Sequence, residues 1–261
     1  EESTSTSVMR DSHMPMEKAE ALVLRSTDWS ESSSILTLWT REVGRVRALA
    51  KGARRPRSNF ENALDLLSLC SIVFLRKSSG ALDLLTEARA IRRFPGLTTH
   101  LLALYGGYYI AELLSEHTED YDPHPELFDG AIQALDSLSE QSAPPLQIVL
   151  RFEWLFLDNQ GYRPALTNCT DCEASLKPIQ GKIAFSAQAG GALCSNCRDA
   201  YQDRRWASAE ALRYFQQVTQ TETGIEQERL VEVEARRILS QYMTWHLGRR
   251  PKMLPYLEQG S

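Results

Sequence analysis

Two Cys-x-x-Cys pairs, Cys169/Cys172 and Cys194/Cys197, stand 21 residues apart and constrain this chain more than any other feature. Each pair can present two thiolates from a tight turn, and two such knuckles complete a tetrahedral sulfur shell around one zinc ion. Thr170-Asp171 and Ser195-Asn196 fill the turns with residue types that favour sharp bends. Two disulfides and an empty, degenerate site are the competing readings. The first twenty residues have no apolar core of the kind a secretory signal needs, which sets the disulfide reading back and points to the cytoplasm. No apolar run approaches the ~20 residues needed to cross a bilayer, so no membrane role is expected. Four cysteines leave no ligand position for water or substrate, so one structural zinc per chain is the expectation. The intervening Gly181–Gly191 stretch, rich in glycine and small polar residues, is expected to pack poorly without the ion. Cys194→Ser should therefore fold badly.

Upstream of the cysteines the pattern changes character twice. Residues 1–16 read as a polar, flexible leader. Between 17 and 94, five β-rich runs (Ala21–Arg25, Ser34–Thr40, Gly44–Lys51, Leu66–Arg76 and Ala81–Ala88) are separated by polar or glycine-containing breaks. Five short strands in so few residues suggest a small barrel, an OB-fold or an SH3-like barrel. Cys70 falls on the same side of its run as Ile72 and Phe74 and reads as a core thiol. From about residue 95 to 261 the period becomes helical, with a boundary near Phe94–Leu97. Leu101, Leu104, Tyr105 and Tyr108 mark one helix, Leu127, Ala131, Ala134, Leu135 and Leu138 a second. Pro144-Pro145 opens a third, Ser208 caps a fourth, and a last runs from about Glu228 to Leu247. The fold class is α+β: a small β-barrel, then a helical domain into which the cysteine module (about 166–200) is inserted.

The net charge of −5 looks wrong for a nucleic-acid binder until it is mapped. Seven basic residues (Arg41, Arg45, Arg47, Lys51, Arg54, Arg55 and Arg57) crowd one segment whose only acid is Glu42. That segment carries +6 and leaves −11 for the rest of the chain. Local potential rather than net charge attracts a polyanion. Within the third run Val46, Ala48 and Ala50 alternate with Arg45, Arg47 and Lys51, as a strand with a small-residue inner face and a cationic outer face would. Trp39 and Phe60 are aromatic neighbours that either stack on bases or belong to the core.

Catalytic motifs are missing from the sequence: no phosphate-binding GxxxxGK[ST] loop, no HExxH, GxSxG or GxGxxG. Adenylate kinases and NAD-dependent deacetylases, which carry comparable four-cysteine sites, need motifs this chain lacks. His117 and His124 flank the acidic Glu119–Asp122 segment, and a metal-dependent enzyme built there is one alternative. A zinc-ribbon adaptor that binds proteins, with a basic segment serving only solubility, is another.

In order along the chain come Glu20–Arg25, Asp28-Trp-Ser-Glu-Ser32, the basic Gly44–Arg57 strand and loop, and Gly161-Tyr-Arg-Pro164 before the first knuckle. Phe185-Ser186 and Gly190-Gly191 precede the second knuckle, and His246-Leu-Gly-Arg-Arg250 closes the last helix. Taken together from about Met16 onward, these resemble the RecO family of bacterial recombination-repair mediators. The resemblance implies an OB-fold N-terminal domain and a helical domain holding a zinc module, with no catalysis. It implies binding of single- and double-stranded DNA, annealing, and loading of RecA onto DNA coated by single-strand-binding protein, together with RecR, in the bacterial cytoplasm at the nucleoid. On this view Arg45, Arg47, Lys51, Arg54, Arg55 and Arg57 contact DNA, and Cys169, Cys172, Cys194 and Cys197 hold zinc. Arg236, Arg237, Arg249, Arg250 and Lys252 are candidates to meet the acidic tail of single-strand-binding protein, or more DNA, although Pro251 and Pro255 make that C-terminal stretch less regular than a basic helix end.

Overall fold

Strand β1 (Met16–Asp28) is thirteen residues long, and that length closes the first sheet. Its beginning pairs with β4 (Leu69–Leu75) and its end with β2 (Ser34–Thr40), both antiparallel. Strand β3 (Gly44–Ala50) follows β2, while β5 (Asp83–Arg92) lies parallel to β3 and antiparallel to β4. The resulting closed order, β1-β2-β3-β5-β4, is the Greek-key barrel of an OB-fold. The computed structural model describes residues 15–55, 58, 60, 63–77, 80–177, 180–221, 224–226 and 228–258. Residues 1–14 of the expected leader, and Arg57, lie outside that set.

Period-2 alternation builds the barrel's interior. Ala19, Ala21, Val23, Leu36, Leu38, Val46, Ala48, Ala50, Ile72, Phe74, Leu85 and Ala88 all face inward and are buried. Alanine recurs because five strands enclose little room. Cys70 is buried among them, its thiol directed at the Ala21 carbonyl at 3.4 Å, and burial pushes its pKa up to about 12. Strand β1 starts five residues before the expected Ala21, because its first turns of pleat alternate alanine with Glu17, Lys18 and Glu20, a weak apolar signal. Strand β4 starts later than expected, at Leu69, because Leu67 adopts φ 62° and turns the chain.

One outer corner of the barrel is also apolar. Leu22, Leu24 and Trp39 share a continuous core with the helices α1 (Leu101–His117), α2 (Pro125–Glu140) and α3 (Pro145–Asn159). Trp39 is fully buried, its ring 6.2 Å from that of His124, and Phe60 is buried within the barrel. Neither is available to a base, and the core reading of both holds. Polar ties reinforce the seam: Arg41 pairs with Asp129 through two 2.9 Å bonds, and Arg45 meets Asp120 at 2.6 Å. Gly44 (φ +82°) lets β3 approach so closely that a Cβ there would sit 2.3 Å from the Asp122 carbonyl oxygen.

Helices α4 (Ala209–Gln220) and α5 (Arg229–His246) complete the helical core, with α6 (Leu254–Glu258) beyond them. The Ser208 hydroxyl accepts from the Ala211 N–H, the expected cap. Between α1, α3 and α5 a buried Glu153 accepts from the Tyr109 hydroxyl at 2.6 Å and from both terminal nitrogens of Arg236. Burial and the Glu153 charge push the Tyr109 phenol pKa well up, so it stays a donor. Arg236, assigned from sequence to a partner surface, is therefore a core residue. Its α5 position faces inward and its charge is neutralised by Glu153. Pro255 sits in the first turn of α6, where its missing N–H costs no helical bond.

A small sheet was not anticipated. Strands β6 (Lys182–Ser186), β7 (Gly191–Leu193) and β8 (Arg205–Ser208) pair in the order β7-β6-β8. Phe185, Ala192 and Ala207 belong to the main helical core, and the Phe185 ring lies 5.7 Å from that of Tyr242 on α5. The glycine-rich span thus has a hydrophobic seat on one side, in addition to the cysteines that flank it.

Candidate metal centre and nucleic-acid interface

Beyond the far side of this sheet, the two knuckles converge. The first folds back on itself, with the Cys169 N–H bonded to the Ala174 carbonyl and the Glu173 N–H to the Cys169 carbonyl, both at 2.9 Å. Glu173 takes φ 59° to close it. The second closes through the Arg198 N–H on the Cys194 carbonyl at 3.1 Å. Gly191 brings them together. At φ +147° it lies so close to the chain entering the first knuckle that a Cβ would stand 2.3 Å from the Ala165 carbonyl oxygen. The Gly190-Gly191 pair noted in the sequence thus has a steric reason.

All four cysteine sulfurs lie within 4.8 Å of one another, and those of Cys172 and Cys194 are 3.7 Å apart. Sulfurs placed tetrahedrally about 2.3 Å from a zinc ion are separated by about 3.8 Å. A disulfide requires about 2.05 Å. The donor set and its spacing therefore fit a metal ion, and all four cysteines are free thiols. Burial raises the Cys169 pKa, but N–H groups of Cys194, Cys172 and Asp171 outweigh it and bring it down to about 6. N–H groups of Cys197 and Asn196 lower Cys194 likewise. The neighbouring sulfurs push Cys197 up. A divalent cation bound here would hold all four as thiolates. Among the described residues this is the one cluster of cysteine, histidine and carboxylate side chains placed to hold a metal. The acidic segment around His117 and His124 serves otherwise: Asp120 pairs with Arg45 and Arg47, and Asp122 with His124 at 2.9 Å.

The basic run divides into two ends. Near the helices, Arg41 and Arg45 are engaged across the seam. The Arg45 side chain, only 19% exposed, binds Asp120 and also the Ser115 carbonyl at 2.6 Å. Assigned from sequence to DNA, Arg45 is instead largely consumed by the junction. Farther out, Arg47 (56% exposed, with Asp120 at 3.2 Å), Lys51, Arg54 and Arg55 stand at the surface. Arg54 reaches Asp28 at 2.9 Å, and its N–H bonds the Ser32 carbonyl at 3.1 Å, which ties the basic loop to the β1–β2 turn.

Two surface residues here were missed by sequence reasoning. The β1–β2 register slips between Val23 and Arg25, leaving Leu24 as an extra residue. Leu24 packs outward against the helical core, and Arg25, next in the chain, stays outward too and is exposed. Arg25 then faces Thr37, which faces Arg47, so two cations share a row across three strands. Only the register, not the spacing, could have placed Arg25 there. Trp29, 66% exposed in the β1–β2 turn, is the other.

On α5, Arg237 and Arg250 line a groove of about 790 Å³ with Val233, Gln241 and Trp245. Arg249 and Lys252 pair with Glu116 of α1, and Arg250 with Glu258.

Comparison with known proteins agrees with this architecture. Residues 14–94 match the family described as recombination protein O N terminal, and 99–255 the one described as recombination protein O C terminal. The chain is 42% identical to the DNA repair protein RecO of Rhodopirellula baltica over 192 residues, 74% of this chain and 71% of that one. It is 32% identical to the DNA repair protein RecO of Anaeromyxobacter dehalogenans over 93% of this chain and 96% of that one. The RecO protein of Desulfitobacterium hafniense is also 32% identical, over 78% of this chain and 74% of its own. With both halves matched in order, and the barrel, helical core and cysteine cluster in place, the chain belongs to the RecO family.

Proposed function

We propose that this protein is a DNA-repair mediator that binds single- and double-stranded DNA without sequence preference and anneals complementary strands. With RecR it helps load RecA onto DNA coated by single-strand-binding protein. The observation that carries this reading is the open cationic side of the barrel: Arg25 and Arg47 in one row, with Lys51, Arg54 and Arg55 on the adjoining loop. In OB-folds the β2–β3 face and the β1–β2 loop are where oligonucleotides lie. These cations would neutralise phosphates and release counterions, giving affinity that ignores sequence. Annealing needs no further chemistry, because charge neutralisation lets two polyanions approach and base pairing does the rest.

A zinc ion held by Cys169, Cys172, Cys194 and Cys197 would serve as a structural cross-link away from the DNA. The α5 groove is apolar at Val233 and Trp245 and carries Arg237 and the Arg250–Glu258 pair, a setting into which the acidic tail of single-strand-binding protein could dock.

Fluorescence anisotropy with a mixed-sequence single strand across a salt series tests the reading. Five phosphates covered give a log–log slope of roughly −3 to −4, at about 0.7 per phosphate. Zinc determined on the same sample is expected at one per chain. No binding at low salt would move the function to a protein-binding adaptor.

A further inference from the structure

The cationic side of the barrel carries one feature that phosphate binding does not explain. Trp29 is 66% exposed, and among the described residues of the barrel no other aromatic side chain is comparably open. An indole left in water forgoes a large hydrophobic gain, and a loose turn could have tucked it away. This turn is not loose. The Trp29 N–H bonds the Ser33 carbonyl at 2.9 Å and the Ser30 N–H bonds it at 3.2 Å. From the other side, Arg54 grips the turn through Asp28 at 2.9 Å and through the Ser32 carbonyl at 3.1 Å. The indole is thus held out on a braced turn beside Arg54, with Lys51 and Arg55 on the same loop. Asp28, an acid on the same turn, pairs with Arg54.

We propose that Trp29 is a stacking platform for an unpaired base, and that it adds affinity for single strands that a duplex does not share. This rests on the DNA-binding reading above and deepens it. Cations release more counterions per phosphate from a duplex than from a single strand, so they cannot by themselves favour the single strand. A base inside a duplex has both faces covered by its neighbours, whereas an unpaired base offers a face to an indole, whatever its identity. The braced turn sets the plane in advance, and the flanking arginine and lysine carry the phosphates on either side.

The test compares wild type, Trp29→Ala and Trp29→Phe in anisotropy titrations with an oligothymidylate, an abasic strand of equal length and a duplex. Trp29→Ala should weaken oligothymidylate binding about tenfold, leave duplex and abasic affinities unchanged, and keep the same salt slope. Trp29→Phe should restore most of the loss. Oligothymidylate should quench tryptophan emission in wild type and not in Trp29→Phe. Because the side chain is exposed, both variants should melt at the wild-type temperature. Equal losses on single strand and duplex, or no loss on either, would overturn the stacking role while leaving the DNA-binding reading intact. Wild type that fails to bind any of the three would remove both.

Discussion

The barrel and the cysteine module are both short and strand-rich, yet the barrel has a sizeable core of its own and the knuckles almost none. Inside the barrel, fifteen of the described residues pack into one buried cluster, sealed by a closed ring of strands with no free edge. The knuckles have a cluster of three, Cys169, Ala184 and Leu193, and one of those is itself a candidate metal ligand. Burial of so little apolar surface does not offset the entropy of fixing two loops. Closure by hydrogen bonding suits a segment that can form a ring. A coordination bond would suit two loops joined otherwise by a few backbone bonds, such as Thr170 N–H to the Ala192 carbonyl.

The largest expected effect separates these two strategies most cleanly. Zinc binding in small peptides is worth on the order of 10–16 kcal/mol. Stripping the ion with a chelator, or making Cys194→Ser, should therefore abolish amide-exchange protection in both knuckles. Strands β1–β5 should keep theirs, and β6, seated on α5 through Phe185, should lose only part. Loss of protection across the barrel as well would mean that the two regions are not independent. The reverse perturbation is smaller. Phe74→Ala, inside the barrel, should cost about 3–5 kcal/mol in urea denaturation with zinc content unchanged. Smaller still are changes at the barrel's surface. Arg54→Ala with Arg55→Ala should shift stability by roughly 0.5 kcal/mol or less and flatten the salt slope by about 1.4, on all sequences alike. Arg45→Ala should do the opposite, lowering the melting temperature with little change in slope, because Arg45 is spent on Asp120 and Ser115.

The contrast between Arg45 and Arg54 also shows what the sequence could and could not reveal. Alternation in Gly44–Ala50 correctly separated an inner alanine–valine face from an outer arginine face, since side-chain direction in a strand follows directly from position. It could not divide the outer face into a covered end and an open one, because Asp120 and Asp129 reach it from about eighty residues away. For the same reason the sequence leaves Trp39 open between base and core and does not single out Trp29. Both lie at or near β2, and only the docking of α1 and α2 decides which is covered. The cysteine cluster was legible because thiolate chemistry and spacing are local. The β6–β8 sheet was not, since its strands are three to five residues long and owe their order to Tyr242 and the rest of α5. Arg236 looked like a surface cation until Glu153, on another helix, supplied its buried partner.

Gly44 has a mechanical consequence. By letting β3 press against the Asp122 backbone, beside the Arg41–Asp129 and Arg45–Asp120 pairs, it fuses barrel and helices into one body where a hinge could have been. A ligand on the open barrel face and another in the α5 groove are then separated by a fixed span, not by a wandering tether. Their effective concentration is set by shape alone: high for a partner whose two contact points match that span, and negligible for one whose points do not. The junction would thus act as a gauge, selecting assemblies by distance before any individual contact is tested.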